Sequence, residues 1–168
     1  MERRQVARTV SIATLAFIAM IFTLPQCQAQ FSANGPLPAS ALSIPQSQLI
    51  QPDALNGMLQ TSKTDPPLLL QVGSRVMFNQ ARIPGSFYAG PGSQPEGLKL
   101  LESMVGQAPK SKFIVLYCGC CPWDRCPNVG PAYKRLHDLG FTNVKVLYLA
   151  NNFGADWLYK GFRVEQGG

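Results

Sequence analysis

The chain has 168 residues, of which 46% are apolar, the fraction of an ordinary globular domain with a real core and no demand for a second one. Fifteen Lys and Arg against nine Asp and Glu give a formal charge of +6; Arg3, Arg4 and Arg8 against Glu2 supply two of these charges and leave four. Those four are scattered, with no basic run and no interleaved aromatics, which argues against nucleic-acid binding.

Arg3, Arg4 and Arg8 precede an uncharged apolar run of 15 residues, Val10 to Leu24, and Pro25 with Ala29 then offers a break and a small residue for cleavage. The pattern predicts a signal peptide over residues 1–29 and an exported protein, periplasmic or secreted. The run is short of the roughly 20 residues that comfortably span a bilayer, so a cleaved peptide is expected over a permanent anchor. Membrane attachment would then come only through an uncleaved signal or a lipidated Cys27. Leu24 suits a lipid-acceptor signal, but Gln26 stands where a small residue is wanted.

Residues 30–47 are rich in Ser, Pro, Ala and Gln and read as a flexible linker or arm, with the domain proper over 48–168. Gln48 to Ile50 suits a short strand. Pro52, Ala54, Leu55, Met58 and Leu59 give helical spacing ending near Gln60, and Leu68 to Val72 is a continuous apolar run of the kind buried in a parallel sheet, closed by Gly73. Arg82 to Ser86 is turn chemistry, followed by a brief strand at Phe87 to Ala89 and a Gly/Pro loop. Leu98, Leu101, Met104 and Val105 recur at helical spacing before Pro109. Phe113 to Tyr117 is the central strand; Ala132, Tyr133, Leu136 and Leu139 mark a helix begun after Asn128 and ended by Gly140. Val144 to Leu149 is another strand, Phe153 to Tyr159 a last short helix, and Gly161 to Val164 an edge segment. Strands alternating with helices predict an α/β fold with a parallel sheet covered on both faces and a crevice at the carboxyl ends of its strands.

Cys118 stands at that end of the central strand and opens a group of four cysteines within nine positions, with Cys120, Cys121 and Cys126. In an oxidising compartment four clustered thiols call for a reductant, a metal or a sulfur-bearing function. A disulfide among them closes only a short loop and adds little stability, so stapling is a weak reason for the group. Three chemistries stay open on the residues alone. Cys118 is a nucleophile; Cys120, Cys121 or Cys126 resolves a sulfenate or persulfide on it by thiol-disulfide exchange; or Cys118, Cys120, Cys121 and Cys126 hold a soft metal, copper or zinc. The lone His137 lies in the following helix near charged residues and reads as an exposed side chain.

Leu68-Leu69-Leu70-Gln71-Val72, Arg82-Ile83-Pro84-Gly85-Ser86, Ile114-Val115-Leu116-Tyr117-Cys118, Leu139-Gly140-Phe141-Thr142-Asn143-Val144 and Trp157 with Gly161-Phe162-Arg163-Val164-Glu165 resemble, in order, the blocks of a single rhodanese-like domain over Gln48 to Glu165. The resemblance implies a three-layer α/β domain, a five-stranded parallel sheet with helices on both faces, and a sulfurtransferase that carries sulfane sulfur as a persulfide on Cys118. Its partners would be a small, thiosulfate-like sulfur donor and a thiol or protein acceptor, with no cofactor. The loop that follows supplies the candidate substrate-binding residues Gly119, Cys120, Cys121, Trp123 and Arg125, with Arg82 beyond it. A thiol at a turn followed by a helix start is expected to have a lowered pKa.

The chain departs from the family pattern at Gln71 and Gly73, where an acidic and then a basic residue are usual, and at Arg82, where His is usual. The loop is longer than usual, with six residues between Cys118 and Arg125. Phosphatases and arsenate reductases of this fold have five there, and three extra cysteines do not suit ester hydrolysis.

Overall fold

The computed structural model describes residues 44–61 and 64–167. The predicted signal peptide, Cys27 and most of the predicted linker lie outside the described residues. Among those described, no helix is long and apolar enough to cross a membrane.

Five short strands form one parallel sheet: β1 (Leu49–Ile50), β2 (Leu68–Gln71), β3 (Phe87–Tyr88), β4 (Ile114–Tyr117) and β5 (Val144–Leu147), in the order β1-β5-β4-β2-β3. The helices between them are α1 (Pro52–Thr61), α2 (Arg75–Gln80), α3 (Pro95–Val105), α4 (Val129–Asp138) and α5 (Phe153–Asp156). β4 sits in the middle, registered against β2 from Leu68↔Ile114 to Gln71↔Tyr117 and against β5 from Ile114↔Val144.

Two cores flank the sheet, and the two-residue period of the strands decides which side chain enters which. Leu70, Ile114, Leu116 and Val146 pack with Leu101, Val105, Ala132 and Leu136 of α3 and α4 on one face. Leu69, Val115, Tyr117 and Leu147 pack with Leu55 of α1 and Phe153 and Trp157 on the other. Burying each such Leu or Ile stabilises the fold by roughly 1.5–3 kcal/mol. Cys118 continues the alternation of Ile114 and Leu116 and therefore falls on the α3/α4 face.

Local chemistry sets the helix ends. Pro95 stands in the first turn of α3; Ser74 caps α2, its hydroxyl accepting from the Met77 N–H; Asn152 caps α5 by accepting from the Ala155 N–H. α4 stops where the Gly140 and Phe141 N–H groups donate back to the His137 and Leu136 carbonyls.

Three boundaries differ from the sequence reading. α2, over a segment with no strong apolar period, forms because Ser74 caps it and Phe78 anchors it in the fold. The predicted edge at Gly161 to Val164 is a single antiparallel bridge between Arg82 and Glu165. Ile44 and the 3-10 turn Gln46–Gln48, which fall largely on the predicted linker, pack with the domain, with Ile44 in the α3/α4 core.

Candidate functional site

β4 ends at Tyr117, and the backbone turns at once through Gly119, whose φ of +82° lies in the left-handed region that favours glycine. The turn is pinned on both sides. The Phe153 N–H donates to the Gly119 carbonyl at 3.0 Å, and a Cβ on Gly119 would stand 2.6 Å from the Phe153 Cβ. Beyond it, Trp123–Arg125 makes a 3-10 turn, the Trp123 N–H donates to the Ala150 carbonyl at 3.2 Å, and the Trp123 ring packs on Tyr148 at 5.2 Å. The long loop is thus tied to the segment after β5, and Trp123 is half-buried in that tie.

This bend brings the sulfurs together. Cys118 Sγ and Cys120 Sγ are 3.1 Å apart, and Cys120 Sγ and Cys121 Sγ 3.2 Å apart, a chain of contacts running from the buried Cys118 through the exposed Cys120 to the half-buried Cys121. Cys121 Sγ faces the Arg125 carbonyl at 3.7 Å, and Cys126 is buried in the α3/α4 core. All four are free thiols. Among the described residues no group of three or more His, Cys, Asp or Glu side chains is arranged to hold a metal ion.

Cys118 is held by residues far from it in sequence. Asn128, immediately before α4, donates its Nδ2–H to Cys118 Sγ at 3.3 Å, while its Oδ1 accepts from the Ser93 N–H at 3.1 Å and hydroxyl at 2.8 Å. Ser93 therefore fixes which face of the amide meets the sulfur. Gln71 donates its Nε2–H to the Cys118 carbonyl at 3.2 Å and accepts from the Gly73 N–H at 3.2 Å. A Cβ on Gly73 would stand 3.0 Å from Cys118 Sγ. The departures at Gln71 and Gly73 thus have a local reason: the amide props the loop, and the missing side chain leaves room for the thiol. The sequence reading saw Asn128 as a helix start and Gln71 as a departure. Their aim at Cys118 depends on strand order, and the one signal available was their place at a strand end and a helix start on the same crevice.

The charge distribution differs from the expected lowering of the Cys118 thiol. The thiol that ionises most readily is Cys120, held well below the usual range by hydrogen bonds from Cys118 and then Cys126. Cys118 moves up because its own proton is engaged first by Cys120 and then by Cys126, and because it is buried. Cys121 also moves up, chiefly by desolvation. The sulfur contacts thus favour ionisation at the exposed Cys120 over the buried Cys118.

Arg125 is exposed on the loop and makes no ion pair among the described residues. Arg82 is engaged elsewhere: its guanidinium pairs with Glu165 at 3.6 Å, donates to the Gly167 carbonyl and lies over the Phe78 ring, and none of these contacts reaches the loop. His137 is exposed beside the Tyr133 ring. Gly119, Cys121, Trp123 and Cys126, with Val129, Leu147 and Leu149, wall a small cavity of about 10 Å³ beside Cys118.

Solved structures share this architecture. The BH2092 protein of Bacillus halodurans superposes with a TM-score of 0.56 at 21% identity, over 71% of this chain and 77% of that one. The rhodanese-like domain of the Alr3790 protein of Anabaena superposes with a TM-score of 0.52 at 19% identity, over 71% of this chain and 79% of that one. The fold is rhodanese-like. A variant of EanB bearing a cysteine persulfide, in a tetrahedral intermediate state with ergothioneine, superposes on the rhodanese-like domain with a TM-score of 0.50 at 23% identity; the match spans 70% of this chain but 27% of EanB. No protein-family model and no curated protein matches the sequence.

Proposed function

We propose that this rhodanese-like domain moves sulfane sulfur, holding it as a persulfide on Cys118 after taking it from a small anionic donor of the thiosulfate class. The observation that carries the reading is the setting of Cys118: a thiol at the carboxyl end of the central strand, beside the start of a helix, with the Asn128 amide N–H aimed at its sulfur from 3.3 Å. A hydrogen-bond donor and the positive end of α4 both favour a sulfur that carries negative charge. As Cys118 Sγ attacks the outer sulfur of the donor, its proton passes to Cys120, sulfite leaves with the electron pair of the broken S–S bond, and the persulfide remains. The exposed Arg125 supplies the positive charge that attracts such a donor to the loop. The cysteine persulfide on the structurally similar EanB supports the same chemistry on this fold.

The acceptor in this reading is a thiol, free or on a protein. The compartment is an exported one, periplasmic or extracellular, from the pattern of residues 1–29. Thiol-disulfide exchange is a second reading, favoured by the sulfur contacts at 3.1 and 3.2 Å. The test is thiosulfate-dependent sulfite release by the purified protein, with mass analysis of Cys118. Cys118→Ser is expected to lose the added sulfur and to lower turnover by roughly a thousandfold or more. Undiminished turnover in that variant would remove Cys118 from the role.

A further inference from the structure

A persulfide on Cys118 presents two sulfurs with different neighbours. The outer one is the atom an external thiol meets. The inner one, Cys118 Sγ, lies 3.1 Å from Cys120 Sγ; Cys121 Sγ contacts Cys120 instead, and Cys126, which also meets Cys118, is buried at 6% exposure while Cys120 is exposed to an external reductant. The bend at Gly119 presses Cys120 against Cys118, so the two sulfurs meet without any diffusional encounter.

On the persulfide reading given above, we propose that Cys120 attacks the inner sulfur, closing a Cys118–Cys120 disulfide and expelling the sulfane sulfur as hydrosulfide. The Cys120 Sγ–Cys118 Sγ bond forms and the bond from Cys118 Sγ to the outer sulfur breaks. The outer sulfur leaves with the electron pair and takes the Cys120 proton. The two cysteines are oxidised by two electrons and the sulfane sulfur is reduced by two, so no other oxidant or reductant enters this step. Resetting the loop requires an external dithiol, which attacks the exposed Cys120 sulfur. A ring closed across a single glycine is short and accessible, the kind of disulfide that is readily reduced. The loop then acts as a reducing site for sulfane sulfur and not only as its carrier.

The experiment loads the reduced full-length protein with thiosulfate, anaerobically and without added thiol. Sulfite, hydrosulfide and the covalent state of each cysteine are then measured at the end point. Wild type is expected to release hydrosulfide in step with sulfite and to finish with Cys118 linked to Cys120. In Cys120→Ser the ratio of hydrosulfide to sulfite is expected to fall by roughly tenfold or more, with the persulfide retained on Cys118 until a thiol is added. The same ratio in both proteins, or a wild type that keeps its persulfide and forms no disulfide, overturns the assignment of Cys120 while leaving the persulfide reading intact. Absence of sulfite from both overturns both readings.

Discussion

Asn128 is the residue through which the fold speaks to the reactive thiol. Its side chain makes no cap hydrogen bond within α4; Oδ1 is spent on Ser93 and Nδ2–H on Cys118 Sγ. A hydrogen bond of this kind contributes roughly 0.5–1.5 kcal/mol to the charged form of its acceptor. Asn128→Ala is therefore expected to raise the apparent pKa for alkylation of Cys118 by about half to one unit. The pH profile of iodoacetamide labelling, read at Cys118 by peptide mass, checks this. An unchanged profile would show that the amide only props the loop.

At the scale of elements, the decisive piece is the turn between β4 and the Trp123–Arg125 segment. It must reverse within one residue and lie against the start of α5, and both demands fall on Gly119. Gly119→Ala combines a left-handed backbone with a Cβ 2.6 Å from the Phe153 Cβ. It is expected to destabilise the domain by roughly 1–3 kcal/mol and to separate Cys118 from Cys120. Chemical denaturation measures the first effect, and the rate of Cys118–Cys120 disulfide formation under a mild oxidant the second. Wild-type stability together with wild-type oxidation would contradict the account. The element boundaries legible in the sequence were those with local punctuation: Pro95 opening α3, Gly140 closing α4, and the apolar run of β2. α2 was missed because its capping Ser74 precedes a short, weakly patterned segment that is defined by the Phe78 contact with the fold.

At the scale of the whole molecule, Tyr117 joins the sheet to the Ile83–Ser86 turn. Its hydroxyl is buried, meets the Ser86 hydroxyl at 2.8 Å and accepts from the Ile83 N–H at 3.3 Å. Burial, the largest effect, pushes its pKa up to about 12, against the lowering by these hydrogen bonds. The folded domain therefore holds this proton where the unfolded chain releases it. The stability it contributes is fully present below pH 10 and lost as pH rises from about 10 to about 12, a change on the order of 2–3 kcal/mol. Denaturation midpoints across that range should fall more steeply for wild type than for Tyr117→Phe, which has no proton to lose there. Parallel slopes would reject the assignment.

Sequence periodicity and turn chemistry determined the α/β class, the order of the main strands and helices, and the place of Cys118 at the carboxyl end of the central strand, because these features are written in residues a few positions apart. Which sulfur meets which, and what meets Cys118, was decided by tertiary structure alone. Gln71 lies 47 residues from Cys118 and Asn128 lies 10, and they converge on it because β2 pairs with β4 while α4 returns across the same end of the sheet. The four cysteines are equivalent as letters. Burial and the bend at Gly119 make one of them the sulfur at the strand end, one the exposed neighbour in contact with it, and one part of the core.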